Sequence, residues 1–451
     1  MRNGPGKFIA FFLPAALAVF FLFAPGAGWA QPSVDLTIKA GETLTLDKAI
    51  HISLALNPDI LAAMGTEKAA RSLIGQAKSN YYPQVSLAAS QQEYSLTNHN
   101  ATSGQTTSGG KNLALSGFTT DASVSQNIYD FGRTAAQVKT QKYAWNSTRQ
   151  DLESVRENVT LLVKQAYYAL LQAQRNIDVA NTVVGQLEQH LKQAAAFHEA
   201  GTKPKYDVTL ARVNLSNARL NLIVVKNDAA IARANLNNVM GVPGAPAYNA
   251  EDNLGFRKYD VKFAEALKMA YANRPDLKSL VFRERAAQEN ISFAKAGYYP
   301  ALSGTASYGY TGESLPLNSY WTAGITISFP VFSGFLTKYQ LIQSRENLHV
   351  LGANEESLKQ SIFLEVQTDF LNLKEAEERV SAAKLVADQA KENLDVVNGM
   401  YKYGVGNALD VTDALTTYSS AQTSYIAALY DYKTAQANIE KAMGLYGGGQ
   451  K

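Results

Sequence analysis

The strongest constraint on the fold is that the chain carries one pattern twice. Pro58-Asp59 recurs as Pro275-Asp276, and Tyr81-Tyr82-Pro83 recurs as Tyr298-Tyr299-Pro300, both 217 residues further on. Gly201, Asp207-Val208 and Met240-Gly241 recur as Gly404, Asp410-Val411 and Met443-Gly444, now 203 residues further on. The sequence therefore reads as two repeats, 46–241 and 263–444, joined by a linker, 242–262. The fall in offset puts extra residues in the first copy. The Ser-, Thr-, Gly- and Asn-rich stretch 97–117 reads as the surface loop that accommodates them. Each repeat is expected to run helix, strand, loop, strand, long helix, turn, helix, and residues 31–451 form a single protomer.

Residues 1–30 read as a secretory signal peptide. Arg2 and Lys7 precede an apolar run over 8–23, and Gly28-Trp29-Ala30 supplies small residues at the cleavage positions. Its removal takes the formal charge from +3 to +1, which gives no argument for nucleic acid as a partner. The chain has no cysteine, so an exported form must rely on burial or assembly rather than disulfides. After Ala30 no stretch approaches the ~18 apolar residues of a membrane helix. Any membrane insertion must use strands, because only helices and closed barrels satisfy their backbone in lipid.

Strand patterns follow each Tyr-Tyr-Pro, where proline ends the preceding helix. Val85, Leu87 and Ala89 alternate with Gln84, Ser86 and Ala88. Ala122, Val124 and Ile128 alternate with Ser123, Ser125 and Asn127. In the second copy Leu302, Ala306, Tyr308 and Tyr310 share one parity, and Trp321, Ala323, Ile325, Ile327 and Phe329 alternate with Thr322, Gly324, Thr326 and Ser328. One polar and one apolar face per strand suits a membrane barrel, and equally a half-buried soluble sheet. Aromatic residues at the strand ends, Tyr81, Tyr82, Tyr298, Tyr299, Trp321 and Phe329, match the girdles of membrane interfaces and point to outer-membrane lipid as the surroundings.

Long helices are expected over 134–197 and 337–400, each roughly 100 Å at about 1.5 Å per residue. Heptad positions are apolar in both: Val163, Leu170, Ile177, Val184 and Leu191 in the first, and Val366, Leu373, Val380, Ala387 and Leu394 in the second. Asp369 interrupts the companion stripe of the second helix. Returning helices are expected over 206–240 and 408–443. Four strands per chain cannot close a barrel, which needs about eight, and an open sheet cannot sit in lipid. The barrel must be shared between chains, two giving eight strands and three giving twelve.

The opening Leu44-Thr45-Leu46-Asp47-Lys48-Ala49-Ile50 with Asn57-Pro58, the duplicated strand pairs, and a turn motif of Gly, five residues, Asp-Val, two residues, Ala resemble the TolC-like outer membrane efflux proteins. The motif stands at Gly201, Asp207, Val208 and Ala211, and again at Gly404, Asp410, Val411 and Ala414. The resemblance covers nearly the whole chain after residue 30. It implies a mixed α and β homotrimer: a 12-stranded transmembrane β-barrel in the outer membrane, continued by a long periplasmic α-helical coiled-coil barrel. It implies a passive exit duct of a tripartite efflux or type I secretion system. Its partners would be a periplasmic adaptor and an inner-membrane RND or ABC transporter, and its cargo drugs, small toxic compounds or proteins.

No catalytic constellation, metal-ligand spacing or phosphate-binding loop is present, so neither an enzyme nor a cofactor is expected. His51, His99, His190, His198 and His349 read as ordinary polar positions. Asp410 and Asp413, three residues apart, share one face of a helix start. The residues alone allow a carboxylate constriction or simple helix capping by Asn407 and Asp410. The resemblance implies that these acids line the periplasmic gate and that Tyr401 takes part in holding it. Some relatives carry an arginine where this chain has Gly406, so an ionic latch is missing there. Lys203 and Lys205 read as substitute partners of Asp410 or Asp413, or as solvated loop lysines. Gly201 and Gly404 suit the left-handed residue that ends a helix. With Lys203, Lys205, Asp207 and Gly406 they form tip turns expected to meet the adaptor. The competing reading, a structural or adhesive coiled-coil surface protein, would want one uninterrupted heptad segment and no duplicated strand pair.

Overall fold

In the computed structural model, residues 37–96, 113–313 and 316–445 are described. The segment read as a signal peptide and most of the stretch read as an insertion, 97–112, lie outside them. One unit begins at Ile38 and holds every element of the fold. The order is β1 (Thr43–Leu44), α1 (Leu46–Leu56), α2 (Pro58–Ser79), β2 (Gln84–Leu96), β3 (Leu113–Tyr129), α3 (Arg133–Glu199), α4 (Lys205–Val239), β4 (Asn249–Ala250), α5 (Phe263–Asn273), α6 (Pro275–Ala296), β5 (Ala301–Gly312), β6 (Asn318–Ser328), α7 (Leu336–Lys402) and α8 (Ala408–Ala442). The expectation of a loop as far as residue 117 is corrected. Residues 113–117 already belong to β3, which runs 17 residues, because they pair with β2 through Leu113↔Leu96 and Gly117↔Gln92.

Each opening helix breaks at a proline. Asn57 ends α1 and caps α2, accepting from Asp59 N at 2.9 Å, with Pro58 at the first helical position. Arg274 and Pro275 stand at the matching corner between α5 and α6, where Arg274 makes no side-chain cap bond. The broken corners explain the Met-Gly pairs far along the chain. Gly241 has φ +75, and a Cβ there would stand 2.6 Å from the Leu56 carbonyl. Gly444 has φ +71, and its Cβ would stand 2.9 Å from Arg274 N. Only glycine allows the end of α4 or α8 to lie this close to a corner. Asn57 Nδ2 then donates to Val239 O at 2.8 Å, and Met240 and Met443 are fully buried beside them.

The linker is tied down rather than loose. Its β4 pairs in parallel with β1, and the buried Tyr167 hydroxyl donates to both Leu44 O and Glu251 O at 2.9 Å. Asp252 takes both Nε and an Nη of Arg175 at 2.9 Å. Nearby, Arg274 forks onto Asp276 and reaches Glu365, which Lys441 also contacts at 2.7 Å. The buried Glu157 of α3 faces this cluster.

The sheet order is β2-β3-β5-β6, antiparallel throughout. The two sequence halves join at β3-β5, and β2 and β6 are its edges. Register aligns residue types into rows across all four strands. Leu87, Ala122, Tyr308 and Trp321 form one row, and Ser86, Ser123, Ser307 and Thr322 the next. Hydroxyls link the polar row, Ser86 to Ser123 at 2.8 Å and Ser307 to Thr322 at 2.6 Å. Val85, Leu87, Trp321, Ile325 and Ile327 are exposed on the apolar side. Strand alternation thus becomes two chemically distinct faces of one sheet.

Among the long helices, α3 packs on α1, α2, α4, α6 and α8, whereas α7 packs on α5, α6 and α8. The heptad residues Val163, Leu170, Val366 and Leu373 are buried, as a knobs-into-holes seam requires. Among the described residues no helix is long and apolar enough to cross a membrane.

Candidate functional site at the helical turns

The two turns at the far ends of α3 and α7 are built alike. After Phe197 the chain turns through Gly201 at φ +72, and after Met400 through Gly404 at φ +80. Thr202 N and Lys203 N both donate to Phe197 O, at 3.0 and 3.3 Å. Val405 N and Gly406 N both donate to Met400 O, at 3.1 Å each. One carbonyl in each turn thus satisfies two orphan donors beyond the helix end.

The helix starts beyond the turns differ. In α8, Asn407 and Asp410 form a reciprocal capping box, with Leu409 N donating to Asn407 Oδ1 at 3.2 Å and Asn407 N to Asp410 Oδ2 at 3.3 Å. Asp410 and Asp413 are both exposed on that helix start. Asn214 Nδ2 of α4 donates to Thr412 Oγ1, at 3.1 Å, between the two acids. In α4 the cap is Pro204, with no side-chain bond, and Asp207, the counterpart of Asp410, is only 9% exposed. One sequence motif therefore yields an exposed capping carboxylate in one copy and a buried carboxylate in the other.

Tyr401 is fully buried within its own chain. Its ring meets His190 at 4.7 Å and Phe197 edge-on at 5.6 Å between centroids, over Ala408 and Val411. Burial, then the charge of Asp207, pushes its phenol up. Burial pushes the His190 imidazole down against the opposing pull of Asp207. His190, 4% exposed, is therefore not an ordinary polar position. The heptad carried the signal: His190 stands seven residues beyond Val183, in line with Val155, Leu162 and Ala169, which make a further partly apolar stripe on α3. His198 does not join it, its Nδ1 instead lying 3.1 Å from Lys203 O.

The lysines do not pair with Asp410 or Asp413. Lys203 Nζ donates to Gly406 O at 3.3 Å, and Lys205 is exposed at the start of α4 with no ion pair among the described residues. Gly406 is buried, and a Cβ there would stand 2.9 Å from Tyr401 N. Position 406 therefore has no room for a side chain. The aromatics Tyr81, Tyr82, Tyr298, Tyr299 and Phe329 gather where the sheet meets the helices, with Tyr299 stacked on Phe131 at 5.4 Å. Trp321 lies nearer the other end of its strand, opposite Tyr308. All six are exposed. Among the described residues no group of His, Cys, Asp and Glu is placed to hold a metal ion.

Solved outer membrane channels share this fold of a four-stranded sheet on paired long helices. A family model described as outer membrane efflux protein matches residues 49–242 and 266–445. The chain belongs to the outer membrane efflux protein family. Outer membrane protein TolC of Escherichia coli (strain K12) is 26% identical over 412 residues, spanning 86% of this chain and 80% of TolC. The solved structure of CusC matches with a TM-score of 0.76 at 18% identity, covering 93% of this chain and 99% of CusC. The open state of the Neisseria gonorrhoeae MtrE outer membrane channel matches with a TM-score of 0.73 at 20% identity, covering 89% of each chain. As a member of that family it is an outer membrane protein.

Proposed function

We propose that three copies of this chain form a passive exit duct through the outer membrane. The observation that carries the reading is the pair of chemically distinct rows on a sheet with two open edges. β2 and β6 each present unpaired N–H and C=O groups along one side, which lipid cannot accept. Joining β6 of one copy to β2 of the next closes the sheet. Three copies give twelve strands and a lumen wide enough for water, lined by the Ser and Thr rows, with the apolar rows against lipid.

The helices support the same closure. Thr160 of α3 is 2% exposed, whereas Phe363 of α7, 203 residues on, is 40% exposed. Ile426 of α8 is 5% exposed, whereas its counterpart Ile223 of α4 is 66% exposed. Positions covered inside the chain have apolar counterparts left bare, as when α7 of one copy meets α2 and α4 of the next.

In this assembly the turns form the periplasmic tip and Asp410 and Asp413 form stacked carboxylate rings that favour cations. A periplasmic adaptor engages the tip turns. An inner-membrane RND or ABC transporter supplies the energy, and opening is a shear of helices that involves no bond chemistry in this chain. The test is the mass of protein extracted from outer membranes in mild detergent. A trimer is expected. A monomer, or release without detergent, overturns the shared barrel.

A further inference from the structure

The tip contains a buried polar group that nothing in the duct reading uses. His190 Nδ1 has no hydrogen-bond partner, and neither does the Tyr401 hydroxyl. Their rings are 4.7 Å apart, tilted by 50°. The groups around them come from four helices. α3 supplies His190 and Phe197, α7 supplies Tyr401 and Val397, α8 supplies Ala408 and Val411, and α4 supplies Asp207. Among the described residues, Asp207 is thus the one charged group that acts on His190, and Tyr401 the one other titratable group against it.

We propose that His190 is a proton-operated latch: neutral, it holds the ends of α3 and α7 together through Tyr401, and protonated, it releases them. The inference rests on the reading of the tip as the gate. A neutral imidazole can lie against the Tyr401 ring with no charge to desolvate. An imidazolium carries two N–H donors and a full charge, in a site whose walls are mostly aromatic and aliphatic. Asp207 alone does not compensate, since burial outweighs its attraction. An arrangement that exposes His190 to water therefore binds the proton more tightly than the packed one, and acid favours that arrangement.

The sign follows from the depressed proton affinity of the packed ring. Its contribution to the closed tip is complete above the ordinary imidazole value of about 6.5 and is lost as pH falls through the lower value of the packed ring. Acid opens the tip and neutral pH closes it. The carboxylates Glu157 and Asp369 also titrate near this range, but they lie elsewhere along the helices and remain in any His190 variant.

The test is single-channel recording of the full-length protein in planar lipid bilayers as pH is lowered from about 7.5 to about 5. The wild type is expected to show a several-fold rise in open probability. His190→Gln, close in size but unable to take the charge, is expected to lose that rise with pH. Asp207→Asn removes a charge that favours the imidazolium, so its rise is expected at lower pH than in the wild type. That second variant keeps the test decisive if His190→Gln does not assemble. Conductance with the same pH profile in wild type and both variants overturns the latch and leaves the duct intact. No conductance at any pH overturns the duct, and the latch with it.

Discussion

Lys203 and Gly406 join the two helical turns, the lysine Nζ donating to the glycine carbonyl at 3.3 Å across 203 residues of sequence. The acceptor is backbone because Gly406 packs against Tyr401 N and leaves no volume for a side chain. The two turns are therefore tied within one protomer by a neutral acceptor, not by an ion pair. Such a link is insensitive to the protonation of Asp410 and Asp413.

Replacing the lysine should loosen the tip. The bond is partly exposed, so its loss is expected to cost about 1 kcal/mol, which is about fivefold in the ratio of open to closed tips. Lys203→Met keeps the aliphatic stem and removes the donor. Recording open probability in bilayers checks it, and an unchanged value would show that the link carries no part of the closed state.

Asp410 and Asp413 should separate when stability and selectivity are measured together. Asp410 belongs to the capping box of α8, so Asp410→Ala is expected to destabilise by about 1 kcal/mol. Asp413 is exposed and its side chain caps nothing, and Asp413→Ala should stay within about 0.5 kcal/mol. If both line the constriction, each substitution also lowers cation selectivity, read from the reversal potential in a salt gradient. A double variant with wild-type selectivity would return both acids to helix-end chemistry alone.

Local patterns in the chain reached the structure almost unchanged. The long helices end within two residues of the heptad expectation, because glycines at positive φ stand just outside their ends. Strand alternation was equally legible at Val85 and Leu87 or Ile325 and Ile327. What stayed hidden depends on residues meeting across the fold. Met240-Gly241 was visible as a repeated motif, but its reason is the Leu56 carbonyl, which lies far back in the sequence. Asp207 and Asp410 look equivalent along the chain. They differ because α4 presents its acid to His190 and Tyr401, whereas α8 presents its acid to its own N-terminus. The pairing of β1 with β4 involves two residues a side, too few to leave a periodic signal.

The charged cluster around Arg274 should make stability fall as pH rises. Burial pushes the Glu157 carboxyl up to about 7, against the pull of Arg274, and burial followed by the charge of Glu365 pushes Asp369 up to about 6. A carboxyl with a raised folded value is favoured protonated. Its contribution is complete below its unfolded value of about 4.3 and is lost as pH rises through about 7. For Glu157 the loss is at most about 3 kcal/mol. Thermal unfolding of the detergent-extracted protein should show a midpoint that drops with rising pH. Glu157→Gln should flatten most of that drop and leave the smaller part due to Asp369. Parallel curves for the two proteins would remove Glu157 as its source.

The sheet offers the sharpest test of which side meets lipid, because two adjacent residues should answer in opposite ways. Ala306 and Ser307 are neighbours near the middle of β5. Ala306 aligns with Val85, Val124 and Ala323 on one face, and Ser307 aligns with Ser86, Ser123 and Thr322 on the other. Arginine near the middle of the lipid-facing side of a barrel costs about 2–4 kcal/mol. In a water-filled lumen it keeps its hydration and its cost is small, but it adds positive charge to the conduction path. Ala306→Arg is therefore expected to lower the yield of assembled protein in the outer membrane with little change in the conductance of what remains. Ser307→Arg is expected to assemble normally and to shift selectivity away from cations. The reverse pattern would turn the barrel inside out relative to the rows. Equal tolerance of both arginines would mean that neither face meets lipid, and the argument from unpaired strand edges would lose its premise.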